Sequence, residues 1–366
     1  MTNHIEDGVR EAMRESFERF VRDHCSEAFV RSRMEAADAH DRQLWADLAA
    51  LGFTALLVPE AFGGLGGGPR EAETIMEEAG KVLLPGPLFS SAILATALIA
   101  HAPDQRARER LLPALADGSL IATAALTGET GHWDGRDLDI EVDDRMRLNG
   151  TAHFVSDADV ADMILVVAGR GEERRLFEVG KDQVRMEAVP TFDRTQRLAR
   201  VQFDHAPALL IEGADAKMID AALALAKIAL LGRQVGAAER NFEFTIDYLR
   251  TRVQFGRPIG GFQALKHMAA DLLVELESAK TAARHAADCL AENRPDAAEA
   301  VAMAGFLVSD AQTRIAAEAI QLHGGIGFTW EHSAHLYLRR AQHDGLFLGS
   351  PESQRDAFLS FLEAAA

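Results

Sequence analysis

The stretch Arg250-Thr-Arg-Val-Gln-Phe-Gly-Arg-Pro-Ile-Gly-Gly-Phe-Gln263 sets Arg250, Arg252 and Arg257 among glycines and phenylalanines. A guanidinium offers a planar fork of donors that matches phosphate oxygens, and glycine lets a ligand approach the backbone. Phe255 is placed to pack on a planar ring. The same residues also suit a solvated turn between helices, and composition alone leaves both readings open. Further on, Gln321-Leu-His-Gly-Gly-Ile-Gly-Phe328 closes a helical pattern with glycines. That pattern fits a plain helix end or a second place where backbone and ligand meet.

Outward from these two segments the period is helical. Leu265, Met268, Leu272, Leu276 and Ala279 line one face, as in a bundle helix, and Asn293-Arg-Pro-Asp296 breaks the pattern before Ala298 to Ile320 resumes it. Upstream the character changes. Met163-Ile-Leu-Val-Val167, Leu176-Phe-Glu-Val179 and the alternation around Val201 and Phe203 read as short strands. Before them, Leu44, Leu48, Leu51 and Phe53 keep helical spacing to a stop at Gly52, and helical patterns recur over Glu71 to Lys81, Leu88 to Ala100 and Gln105 to Ala116. Phe62-Gly-Gly-Leu-Gly-Gly-Gly-Pro69 reads as a loop, either a ligand cradle or a flexible connection. The expected class is α+β: a helical domain over 1–118, a β-barrel-like domain over 119–213, and a four-helix bundle over 214–366.

The bulk properties narrow the partners. A chain of 366 residues with net charge −18 and no basic stripe disfavours nucleic acid or anionic membrane. Two separated cysteines, Cys25 and Cys289, support neither a disulfide framework nor a thiolate metal site and fit a reducing compartment. Met1-Thr-Asn-His-Ile-Glu-Asp7 lacks the pattern of a signal peptide, and the longest apolar runs are expected to be too short to span a bilayer. A cytoplasmic location without membrane insertion is expected.

Taken together, RTRVQFGRPIGGFQALKH and QLHGGIGFTWEHSAHLYLRRA resemble the C-terminal domain of the acyl-CoA dehydrogenase family, and Leu51-Gly-Phe53, Val58-Pro-Glu60 and Gly63-Gly64 extend the likeness to the N-terminal helices. The resemblance implies FAD shared between subunits. Arg252 and Phe255 match positions that meet the diphosphate and adenine half of a neighbour's flavin, with Gln263 nearby; Gln321, Gly324 and Gly325 close the same site. Leu126, Thr127, Phe154 and Ser156 fall where the family wraps the isoalloxazine ring, and Ser350 follows the usual base segment. By the same resemblance the substrate is an acyl-CoA and the electron acceptor an electron-transfer flavoprotein. The protein orients the flavin, and the flavin accepts the hydride.

The departures from the family pattern concern proton transfer. A base must lie within hydrogen-bond reach of the α-carbon of the thioester. Its usual position holds Leu348, before Gly349-Ser350, and the alternative position used by some relatives holds Ala226. Neither takes a proton. Asp344 is the first substitute to consider, ahead of Glu352, Glu331 and a His343–Asp344 pair; adjacent helical residues do not face each other. The loop Gly128-Glu-Thr-Gly-His-Trp-Asp-Gly135 also departs from the family's E-P-x-A-G-S-D pattern. The leading expectation is a subunit of a heteromeric, FAD-dependent acyl-CoA dehydrogenase, resembling bacterial enzymes for bulky thioesters including steroid side chains, in which a related chain supplies the base. A self-sufficient homotetramer with a relocated base or elimination chemistry, and a non-catalytic assembly protein of the same fold, are the alternatives.

Overall fold

The computed structural model describes residues 5–36, 40–133, 138–169 and 173–365. Helices α1 (Asp7–His24), α2 (Glu27–Glu35), α3 (Arg42–Ala50), α4 (Pro69–Lys81), α5 (Thr96–His101) and α6 (Gln105–Ala116) come first. Strands follow: β1 (Ala122–Ala125), β2 (Ile140–Val142), β3 (Arg147–Ser156), β4 (Met163–Ala168), β5 (Arg175–Gly180), β6 (Arg185–Val189), β7 (Leu198–Pro207) and β8 (Leu209–Leu210). Then come α7 (Ala216–Thr251), the short strands β9 (Val253–Gln254) and β10 (Arg257–Pro258), α8 (Gln263–Ala291), α9 (Ala297–His323), α10 (Ala334–Leu346) and α11 (Pro351–Ala365). The order helices, strands, helices agrees with the sequence reading.

By compactness the chain forms two units, one built mainly of Arg31–Ala72 and Pro85–Ala226, the other of Asp7–Val30, Glu73–Leu84 and Lys227–Ala366. In the first, two four-stranded sheets run in the orders β1-β4-β5-β8 and β2-β3-β7-β6. All neighbours are antiparallel except β1 and β4, which are parallel. Their inward faces share one core: Ala125, Ile164, Val166 and Phe177 from one sheet, Leu148, Ala152, Val201 and Phe203 from the other. Asp41 caps α3 by accepting from the amides of Gln43 and Leu44. Leu44 and Leu48 are buried, but Leu51 is not on that face; it caps the helix and is half exposed. The Gly63–Gly68 loop folds back on its own chain, with the amides of Leu65, Gly66 and Gly67 donating to Ala55, Val58 and Leu56. A Cβ at Gly64 would meet the Val58 carbonyl at 1.9 Å, so that glycine serves backbone packing. Leu88–Ala95, expected as ordinary α-helix, is a wider π-helical turn.

In the second unit α7, α8 and α9 pack through small side chains. Ile228, Leu231 and Val235 meet Ala279, Ala283 and Ala286, and Ala300, Ala304 and Val308. Leu272 and Leu276 are buried, with Leu265 and Met268 packed at the margin. α8 ends at Ala291 and α9 starts at Ala297, with Asn293 in the left-handed region at φ 52°, as the Asn-Arg-Pro-Asp break predicts. Where α4 meets α7, Cβ atoms at Gly232 and Gly236 would lie 2.2 Å and 1.8 Å from the carbonyls of Glu73 and Glu77. α7 is long and apolar enough to cross a membrane by length and composition, but 83% of that window is buried in the protein, which marks a core helix. Cys25 and Cys289 are both buried, and neither is in a disulfide among the described residues.

Candidate functional site

In the first unit the ring-contact candidates come together. β1 runs out at Ala125, and Leu126 and Thr127 continue beside β3: Thr127 bridges His153, whose amide donates to the Thr127 carbonyl at 2.9 Å. The Thr127 hydroxyl donates to the His153 carbonyl at 2.7 Å, and the Thr123 hydroxyl to that of Ser156 at 2.5 Å. The β3–β7 register shifts between Ala152 and Val155, and there Phe154 takes φ 55°. A bulge of this kind re-aims side chains that would otherwise alternate. Leu126 and Thr127 are buried, Phe154 and Ser156 half-buried. Gly131 lies against the Phe154 ring, while Asp134 and Gly135 of the same loop lie outside the described residues, as do Met1–His4.

In the second unit the arginine segment is a β-hairpin, a feature the sequence reading missed. β9 and β10 pair antiparallel across Phe255-Gly256, both at positive φ, 51° and 76°. Two left-handed central residues define the type I′ turn favoured between strands. The alternation Val-Gln-Phe-Gly-Arg carries that signal weakly, because Phe replaces the usual Asn or Asp. The hairpin tip presents Phe255 to solvent at 91% exposure. Arg257 lies over the Phe262 ring at 4.1 Å, and Arg252, at the hairpin base, donates its amide to Tyr248 and accepts from the Ile259 amide. Gln263 opens α8 and is exposed.

The second glycine motif follows α9. Gln321 is exposed, Gly324 takes φ 64°, and a Cβ at Gly324 or Gly325 would meet nothing within 4 Å. Behind this turn His323 is buried, stacks on Tyr248 with centroids 4.5 Å apart, and lies 4.2 Å from the His332 ring. Burial holds the His323 imidazole below its ordinary pKa, and His332 adds to that; the hydrogen bond to Ala319 opposes it. Phe328 is 83% exposed. An open glycine turn, an exposed arginine and exposed aromatic rings fit a dinucleotide that approaches from outside this unit, and the hydroxyls at Thr127 and Ser156 fit the polar edge of a flavin ring.

The segment expected to carry the base lies between α10 and α11. Leu348 is buried at φ 55° and Gly349 follows at φ 109°. Ser350 caps α11, its hydroxyl accepting from the Ser353 amide at 3.3 Å. Ala226 is buried in α7. Asp344, the substitute carboxylate, is fully buried and bonds Arg233 at 2.7 Å. His343 stacks on Phe347. Glu331 and Glu352 are exposed, and the first-turn amide and the Ser350 hydroxyl hold Glu352 below its ordinary pKa. Sequence reasoning passed over Lys227. It is 4% exposed, its Nζ is 3.5 Å from the Gly349 carbonyl, and burial pushes it down to about 8 against the pull of Asp344.

Comparison with known proteins bears on the family. Residues 9–119 match the family model for the acyl-CoA dehydrogenase N-terminal domain, and 216–361 that for the C-terminal domain. The chain is 37% identical over 344 residues to acyl-CoA dehydrogenase IpdE2 of Mycobacterium tuberculosis, covering 93% of each chain. It is 35% identical over 346 residues to IpdE2 of Mycolicibacterium smegmatis, covering 94% of this chain and 96% of that one. Among solved structures it is similar to a variant of the Tcur3481–Tcur3483 steroid ACAD, with TM-score 0.89 and 28% identity over 98% of this chain and 99% of the other. The ChsE4–ChsE5 complex from Mycobacterium tuberculosis gives TM-score 0.88 and 26% identity over 99% of both. The chain belongs to the acyl-CoA dehydrogenase family, FAD-dependent oxidoreductases that act on CH–CH bonds.

Proposed function

We propose that this chain is a subunit of a heteromeric acyl-CoA dehydrogenase, in which a related chain supplies the proton acceptor and the substrate is a bulky, steroid-derived acyl-CoA. The observation that carries the reading is Leu348: a buried hydrocarbon stands at the family's base position, and Ala226 at its alternative. The similarity to the ChsE4–ChsE5 complex and to a steroid ACAD supports the heteromer and the substrate class. The segments 1–118, 119–213 and 214–366 act as the three functional parts of the subunit.

Bound FAD supplies the acceptor for the hydride that leaves the β-carbon. This chain's residues hold and orient it. Arg252 offers the diphosphate of a neighbouring subunit's FAD a charge-assisted contact, Phe255 and Gln263 face its adenine half, and Gln321, Gly324, Gly325 and Ser350 border that same neighbouring dinucleotide. Leu126, Thr127, Phe154 and Ser156 set the ring edge by hydroxyl, amide and packing. Leu348 excludes water from its pocket and takes no proton. An electron-transfer flavoprotein is the acceptor, and the complex works in the cytoplasm.

A second reading, a self-sufficient flavoenzyme with a relocated base, has one observation in its favour, the buried amine of Lys227 beside Gly349. At pH 7 a group that titrates near 8 is mostly ammonium and has no lone pair to offer. The two readings separate by the flavin bleaching that acyl-CoA causes. With the partner present, bleaching is expected at neutral pH and is lost when the partner's acid is replaced by its amide. Bleaching of this chain alone, rising through pH 8 and abolished by Lys227→Met, would establish the second.

A further inference from the structure

The segment from His153 to Asp157, which carries Phe154 and Ser156, is shaped by residues far away in sequence. Phe154 and Asp157 both take left-handed backbone, φ 55° and 52°, and neither is glycine. Such conformations persist only where surroundings impose them, and they frame Val155-Ser156 from both sides. Three hydroxyls impose this one. Thr127 donates to the His153 carbonyl at 2.7 Å and Thr123 to the Ser156 carbonyl at 2.5 Å. The third is Ser90, whose hydroxyl donates to the Asp157 carboxylate at 2.6 Å.

Ser90 is fully buried in the π-helical turn Leu88–Ala95. Its neighbour Ser91 accepts from the Ala122 amide at 3.1 Å, so this turn is tied to the start of β1 as well as to the end of β3. π turns insert a residue into a helix and recur at functional sites. Asp157 is further fixed through its backbone: its amide donates to Arg197, and its carbonyl accepts from Val160 and Ala161. A hydroxyl bonded to a carboxylate is among the stronger neutral-to-charged contacts, and here it acts one residue beyond Ser156.

We infer that Ser90 is a positioning residue: through Asp157 it fixes the backbone that aims Ser156 at the flavin ring edge. The inference rests on the reading that Ser156 meets that edge. The test uses the complex as purified with its FAD, carrying Ser90→Ala, Asp157→Asn or Ser156→Ala. The readouts are the visible absorption spectrum of the bound flavin, FAD loss on dilution, and the melting temperature. Ser90→Ala is expected to shift the spectrum in the same direction as Ser156→Ala and to speed FAD loss three- to tenfold. Asp157→Asn keeps an acceptor and tolerates positive φ, so it is expected to keep the wild-type spectrum. Should Ser90→Ala fail to fold, Asp157→Ala removes the same bond from the other side and carries the same expectation. A Ser90→Ala complex that melts earlier yet keeps the wild-type spectrum and FAD retention, while Ser156→Ala shifts both, would overturn the role of Ser90. An unchanged spectrum in Ser156→Ala would overturn the ring placement and this inference with it.

Discussion

Asp344 is the acid best placed to be mistaken for a displaced base. It is fully buried, four residues before Leu348, and one of its oxygens bonds Arg233 at 2.7 Å. Removing one partner of a buried ion pair strands the other charge, so Asp344→Asn is expected to cost about 3–5 kcal/mol of stability. A thermal melt checks this. A variant that melts like wild type and no longer bleaches with acyl-CoA would make Asp344 the base. Leu348, which we propose stands at the base position, was legible in the sequence because an ungapped segment places it before Gly349-Ser350. Lys227 was not, because a helical lysine usually reads as a solvated surface residue. Only the packing of α7 shows it to be buried.

At the scale of elements, the long helices and their breaks were readable because the 3.6-residue period persists over many residues. β4, β5 and β7 were readable from branched residues between turns, while β2, β3 and β6 lack so clear a pattern. The hairpin at Val253–Pro258 and the π-helical turn at Leu88–Ala95 were missed, since each depends on a local backbone choice that composition hardly records. Arg252→Ala is expected to weaken FAD binding by about 1.5–3 kcal/mol through loss of a charge-assisted phosphate contact, measured as FAD affinity of the intact complex. Unchanged affinity would take Arg252 out of the dinucleotide site. Gly236→Ala places a Cβ 1.8 Å from the Glu77 carbonyl, and because the obstacle is backbone, α4 must move. The expected loss is about 3 kcal/mol in chemical denaturation, and a neutral result would mean that the two helices are not so closely packed.

For the molecule as a whole, two buried groups couple stability to pH in opposite directions. Glu73 is pushed up to about 8 by burial and by Glu77. The folded state therefore keeps a proton that the unfolded chain has released, and stability falls as pH rises from about 4.5 to 8. Relative to Glu73→Gln, wild type is expected to lose up to about 4 kcal/mol between pH 5 and 8. Lys227 is pushed down, so the unfolded chain binds more protons and stability rises from about 8 to 10.5. Lys227→Met is expected to gain up to about 3 kcal/mol at pH 7, and the gain should vanish near pH 10.5. Melting curves across pH check both signs.

Native mass with flavin stoichiometry decides which chain holds the base, measured on the protein purified with whatever binds it in its own cell and then exposed to acyl-CoA. The expected result is a complex of two related chains that carries FAD and bleaches, while this chain alone does not bleach. A flavin-loaded homotetramer of this chain that bleaches by itself at neutral pH would contradict it.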